Sequence, residues 1–213
     1  MDFEKSLPTK GQTHEHNERG DALEIIRNSG LPESVVFEAL GIDYETPKPE
    51  SSEDAIGNLE KYKSNPECKE FRLALSILLT SGKLEDKKTV IDYTTVETRE
   101  YQAAVELIIA NMTASDTYLL KDVMLNGDQR EKLDRKSEQI LTPALEAAQS
   151  FEDMQAVILH CEILDSPLLG NAIQKGLSLS NNDYGNMLWL TQHAHIKSPE
   201  LKEVIKKIAE LKK

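Results

Sequence analysis

The chain has 213 residues, 39% hydrophobic and only 5% aromatic, and its 37 Asp and Glu outnumber its 25 Lys and Arg to give a net charge of −12. That acidity argues against nucleic acid as the partner, because phosphate contacts need clustered Lys and Arg, and it disfavours an anionic membrane surface for the same reason. No run of about 18 apolar residues offers a membrane span, and the polar start, Met1 to Lys10, is not a secretory signal. The expected location is the cytoplasm, with signal-peptide-independent export still compatible.

With so few aromatics, Leu, Ile, Val and Ala must fill the interior, a palette suited to helix packing. Residues 1–20 read as a flexible arm, with almost nothing apolar after Leu7. Asp21 can cap a helix carrying Leu23, Ile25 and Ile26, ended by Gly30. Pro32 opens a second, with Val35, Val36, Phe37 and Leu40 inward and Gly41 as its stop. Residues 21–42 are therefore expected to form a short hairpin. Residues 43–52 read as a linker, because Pro47 and Pro49 disfavour helix there.

From 53 to 213 the chain reads as the main domain, helix after helix. Ser52 is the expected cap of a helix through Ile56, Leu59 and Tyr62. Asn65-Pro66-Glu67 starts the next, carrying Phe71, Leu75, Leu78 and Leu79 to Gly82. A short helix is predicted over Leu84 to Tyr93. Thr94-Thr95-Val96-Glu97 has the capping-box pattern before Tyr101, Ala104, Val105, Ile108, Ile109 and Met112. Asp116 heads a further segment that closes at Asn126-Gly127. Asp128 to Gln139 is densely charged, with Leu133 its lone apolar residue, and reads as an exposed helix laced with pairs such as Glu131 with Arg135. Pro143 restarts or kinks it. Ser150 then caps a helix from Met154 to Leu164.

The tail repeats itself. Ser166-Pro167-Leu168-Leu169, Ile173 and Lys175 recur 32 residues later as Ser198-Pro199-Glu200-Leu201, Ile205 and Lys207. Each copy has a Ser cap and a Pro at the first helical position. A period near 32 fits a helical hairpin. No segment sustains period-2 alternation, so strands are not expected. The fold class is all-α: stacked helical hairpins, as a helical repeat or an irregular multi-helix bundle, with about nine to eleven helices, hairpin repeats near 150–213 and a flexible N-terminal arm.

Signatures of catalysis are missing. There is no glycine-rich phosphate loop, Gly-x-Ser-x-Gly elbow or His-Glu-x-x-His helix. His193 and His195 fall on a predicted helix about 200° apart, so they cannot face one metal. His14 and His16 lie in the arm. His160 and Cys161 are adjacent but point to different helix faces. Cys68 and Cys161 read as reduced, buried thiols. Arg19-Gly20-Asp21 matches an adhesion tripeptide, yet Asp21 is better explained as a cap.

Charge is uneven: residues 1–50 hold eleven acidic and five basic residues, net −6, and 197–213 hold six basic and three acidic, net +3. Lysines at a C-terminal helix end complement its dipole, or they meet a partner's charge. Trp189, beside Met187, Leu188 and Leu190, is either a core residue or a partner anchor. The function these features favour is a non-catalytic protein–protein interaction module: an adaptor, an inhibitor, a chaperone or a translocated bacterial effector using a helical groove or surface. Its partner is another protein, expected at Trp189, Met187, Lys206 and Lys207. No cofactor is expected. The alternative is an all-helical enzyme whose divalent cation sits among Glu97, Glu100 and Glu106, or Asp116 and Asp122.

Overall fold

The computed structural model describes residues 45–211 together with Pro32, Ser34, Val35 and Glu38. The expected arm, most of the expected 21–42 hairpin, His14, His16 and the Arg19-Gly20-Asp21 tripeptide lie outside the described residues. Among the described residues the chain is all-helical, with nine α-helices, one 3-10 turn and no strand. No helix among them is long and apolar enough to cross a membrane. The chain divides into two compact units, Met1–Ser81 and Gly82–Lys213.

In the first unit α1 (Ser52–Tyr62) packs on α2 (Lys69–Thr80). The cap of α1 is Ser51, one residue before the expected Ser52; its hydroxyl accepts from the Asp54 amide at 3.1 Å. Ala55, Leu59 and Tyr62, spaced four and three apart, form its buried face. α2 begins three residues later than Asn65-Pro66 suggested. The Cys68 amide donates to the Asn65 carbonyl at 3.1 Å, closing a turn before the helix proper. Proline's fixed φ serves the second position of such a turn as well as a first helical position. Buried Glu70 on α2 takes the Ser34 amide at 2.8 Å and the Ser34 hydroxyl.

The second unit holds α3 (Leu84–Tyr93), α4 (Arg99–Asn111), the 3-10 turn Ala114–Leu120, α5 (Gly127–Ala147), α6 (Phe151–Ile163), α7 (Leu169–Leu179), α8 (Tyr184–His193) and α9 (Pro199–Leu211). Consecutive helices pack on one another, and α6 also touches α8 while α7 touches α9. The core is Leu, Ile, Val, Ala and Met, as the scarcity of aromatics requires. Helices α6, α7 and α8 converge at Gly176, where a Cβ would stand 3.1 Å from Leu190 and 3.3 Å from Ile158.

Several helix starts differ from expectation. α4 is capped by Thr98, which accepts from the Tyr101 amide at 3.2 Å, and not by the Thr94-Thr95 box. The capping box of the 3-10 turn belongs to Thr113, with Asp116 answering it three residues on. These bonds hold the Asp116 carboxyl below its ordinary range. Ser150 and Asp153 do form the box at the head of α6.

Helix α5 is longer than its composition suggested, and Pro143 lies inside it. Its outer pair, Glu131 with Arg135, forms as expected. Its inner face is Gln129, Leu133, Ser137 and Leu141, each four residues apart and all buried. The two polar members are satisfied. Gln129 donates to the Gln102 side chain at 2.8 Å, and Ser137 donates to the Asp134 carbonyl at 2.8 Å.

The paired Ser-Pro segments act differently. Ser198 caps α9, accepting from the Leu201 amide at 3.1 Å. Ser166 does not cap α7, whose first residue is Leu169. Its hydroxyl lies 2.9 Å from that of Ser137 and accepts from the Leu168 amide at 3.3 Å. Because Ser137 gives its hydrogen to Asp134, Ser166 must give its own to Ser137. A directional chain thus runs from Leu168 through both hydroxyls to the Asp134 carbonyl. α9 is docked on α8 and α7, with Val204 buried and Leu201 and Ile208 half-buried, whereas Ile205 and Leu211 of the same stripe are 52% and 45% exposed.

Candidate protein-docking groove

Within the second unit, the far half of α5, the near face of α6 and the 3-10 turn enclose a groove of about 380 Å³. On α5 it is lined by Leu141, Ala144 and Ala147, with Ala148 just past the helix end; on α6 by Asp153, Ala156, Val157 and His160; Ala114 borders it from the turn. The α6 positions fall at spacings of three and four, one helix face. Leu141, Ala148 and Val157 are buried and make the floor, while Ala144, Ala147 and Ala156 are exposed along the walls. The groove exists because the wall side chains stop at Cβ, leaving the space that longer residues would fill.

Each end carries a polar group. Asp153 accepts the Gln149 and Ser150 amides at 3.1 and 3.0 Å, and these bonds keep its carboxyl below the ordinary range, so it is ionised at neutral pH. At the other end His160 Nδ1 lies 2.7 Å from the hydroxyl of buried Thr117, which fixes the ring. Seven residues separate Asp153 and His160 on α6, about 10 Å along the axis. They are too far apart to work on one atom as an acid–base pair. Cys161, next to His160, faces the core, and burial pushes its thiol up to about 11. A thiol so protonated is a poor nucleophile. The groove is thus lined mainly by apolar side chains, with Asp153 and His160 at its two ends.

The residues expected from sequence to meet a partner lie elsewhere. Met187 is fully buried on the inward face of α8. Trp189 is half-buried against this chain's own rings: edge-on to Phe151 at 5.9 Å and stacked on His193 at 3.9 Å. Lys206 is exposed and Lys207 half-buried on α9. His195 lies beyond the end of α8, not within it. His193 Nδ1 faces Glu162 at 2.8 Å, and His195 Nε2 faces Asp165 at 3.9 Å.

Of the acidic residues weighed for a cation, Glu106 engages Lys132 at 2.8 Å and Asp116 caps the 3-10 turn. Among the described residues no three His, Cys, Asp or Glu side chains converge as a metal site. Sequence reasoning missed the groove. Its only signal was Pro143-Ala144-Leu145-Glu146-Ala147-Ala148, which reads equally well as an exposed helix face. No protein-family model, curated protein or solved structure matches this chain.

Proposed function

We propose that this chain is a non-catalytic protein–protein interaction module that receives apolar side chains of a partner helix or peptide in the groove between α5 and α6. The observation that carries the reading is the alanine-walled cleft, whose volume lies in the range of ordinary binding sites and whose lining is mostly apolar with polar groups at its ends. The ionised Asp153 at one end and the net charge of −12 favour a partner whose apolar residues are flanked by basic ones. Adaptor, inhibitor, chaperone and effector are all roles such a groove can serve. Two free, buried cysteines fit a reducing compartment and hence a cytoplasmic protein.

The test fills the groove. Ala156 is exposed on α6, so Ala156→Trp should leave the fold intact while occupying the cleft. In affinity capture from the native host, the wild type should retain a saturable protein partner that Ala156→Trp loses. Retention by Ala156→Trp together with loss by Lys206→Glu would move the interface to α9 and overturn the groove as its site.

A further inference from the structure

Two features of the second unit complement one another. The groove between α5 and α6 has alanine walls and an ionised Asp153 at one end. Helix α9 carries the matching chemistry on its outer flank, where Lys202, Ile205, Lys206 and Ala209 are all exposed, Ile205 by 52%. At about 100° per residue these four share one arc of the helix. It lies beside the arc that docks on α7 and α8 through Val204. Glu203 and Glu210 fall outside it. Among the described residues no ion pair takes up Lys202 or Lys206. Residues 197–213 are thus a basic stretch of net +3 in a chain of net −12.

The spacings agree as well. On α6, Asp153, the wall residue Ala156 and His160 follow one another at three and four residues; on α9, Lys202, Ile205 and Ala209 follow at the same three and four. Each series spans about 10 Å. With the two helices side by side and running the same way, Lys202 meets Asp153 and Ile205 enters between the alanines. Ala209, whose side chain stops at Cβ, leaves room for the His160 ring. Within one copy α9 is held on α7 and α8, so the helix that enters the groove comes from another molecule.

We propose that the groove receives a second copy of this chain, whose α9 lays Ile205 between the alanine walls and sets Lys202 against Asp153. This contact presupposes that the groove is a docking site. Lys175, the cation at the end of α5, is already held by the Leu145 and Glu146 carbonyls. Each copy offers one groove and one helix, so the contact is heterologous and closes into a ring or extends into a filament. A cleft this size supports a weak contact, so assembly depends on concentration.

Sedimentation velocity on the full chain, over a series reaching high micromolar concentration, should show mass rising above the 23.9 kDa monomer. The rise should shrink as salt is added, because Lys202 and Asp153 are both exposed. Ala156→Trp fills the groove and Ile205→Glu alters only the outer flank of α9, so each should stay monomeric. Mixed, they should form a one-to-one complex and nothing larger, since the first keeps its α9 and the second its groove. Ala147→Trp, on the opposite wall, replaces Ala156→Trp if that variant does not fold. A monomeric wild type overturns the self-contact alone; capture of a different protein by the groove is read separately, from host extract. Association lost in Ile205→Glu but kept in Ala156→Trp also overturns it, by showing that α9 meets a surface other than the groove. So do a mixture that forms no complex and a mass rise indifferent to salt.

Discussion

Replacing Ser166 with alanine removes the middle of the directional chain that links the start of α7 to α5. Ser166 is 3% exposed, so water cannot stand in for the lost hydroxyl. Two bonds disappear, one to Ser137 and one from the Leu168 amide, each contributing about 1 kcal/mol; the expected cost is about 2 kcal/mol. Ser198→Ala is the control. It removes a single cap bond at a half-exposed position, and the expected cost is about 1 kcal/mol. The double variant Ser137→Ala/Ser166→Ala is the sharper probe. Ser137→Ala alone strands the Ser166 hydrogen, and removing both hydroxyls relieves that penalty, so the pair should cost about 1 kcal/mol less than the sum of the singles. Urea unfolding followed by Trp189 emission at one fixed pH reads the unit that contains all of these residues. Equal costs for Ser166→Ala and Ser198→Ala, or strict additivity in the double variant, would refute the directional chain.

Two further predictions concern charge and backbone. Burial alone would raise the Glu70 carboxyl, but the bonds from the Ser34 hydroxyl and amide outweigh it and hold it below the ordinary value of 4.5. The ionised Glu70 thus contributes stability that is complete above about 4.5 and lost as pH falls through the lower folded-state value. Far-ultraviolet circular dichroism during urea titration from pH 7 to about 3 should show this acid-side loss in the wild type and a smaller one in Glu70→Ala; identical profiles would contradict it. Lys197 sits in the left-handed region at φ 72° just before α9. Lys197→Gly should relieve that strain and stabilise the second unit by about 1 kcal/mol, seen as a higher urea midpoint.

What the sequence disclosed depended on how local the signal was. Leu84–Tyr93 and the Ser150 box at the head of α6 were legible because flanking residues alone determine such starts. Asn65-Pro66 and Ser166-Pro167 misplaced their helices because one proline φ fits both a turn and a first helical residue. The outer face of α5 was legible from its charges, but its inner face was not. Gln129 and Ser137 look like solvated residues until partners from α4 and the α6–α7 turn satisfy them. Val204 and Ile205 sit side by side in one apolar stripe, yet only Val204 is covered, because the neighbours that cover it are set by tertiary packing. The groove was illegible for the same reason. Exposed alanines on one helix carry no message until a second helix and the 3-10 turn stand opposite them.

Lys175 shows how far that dependence extends. Its ammonium on α7 donates to the carbonyls of Leu145 and Glu146 at 2.7 and 2.9 Å, close to the end of α5. Those carbonyls belong to a helix end that has no amides of its own to offer them. The same turn carries Ala144, Ala147 and Ala148. Position 175 is therefore less free to vary than a surface lysine. A change there acts on the groove wall from about thirty residues away in sequence, without touching any residue that lines the cleft. Acetylation of Lys175, which removes its charge and two of its donors, would loosen the same wall.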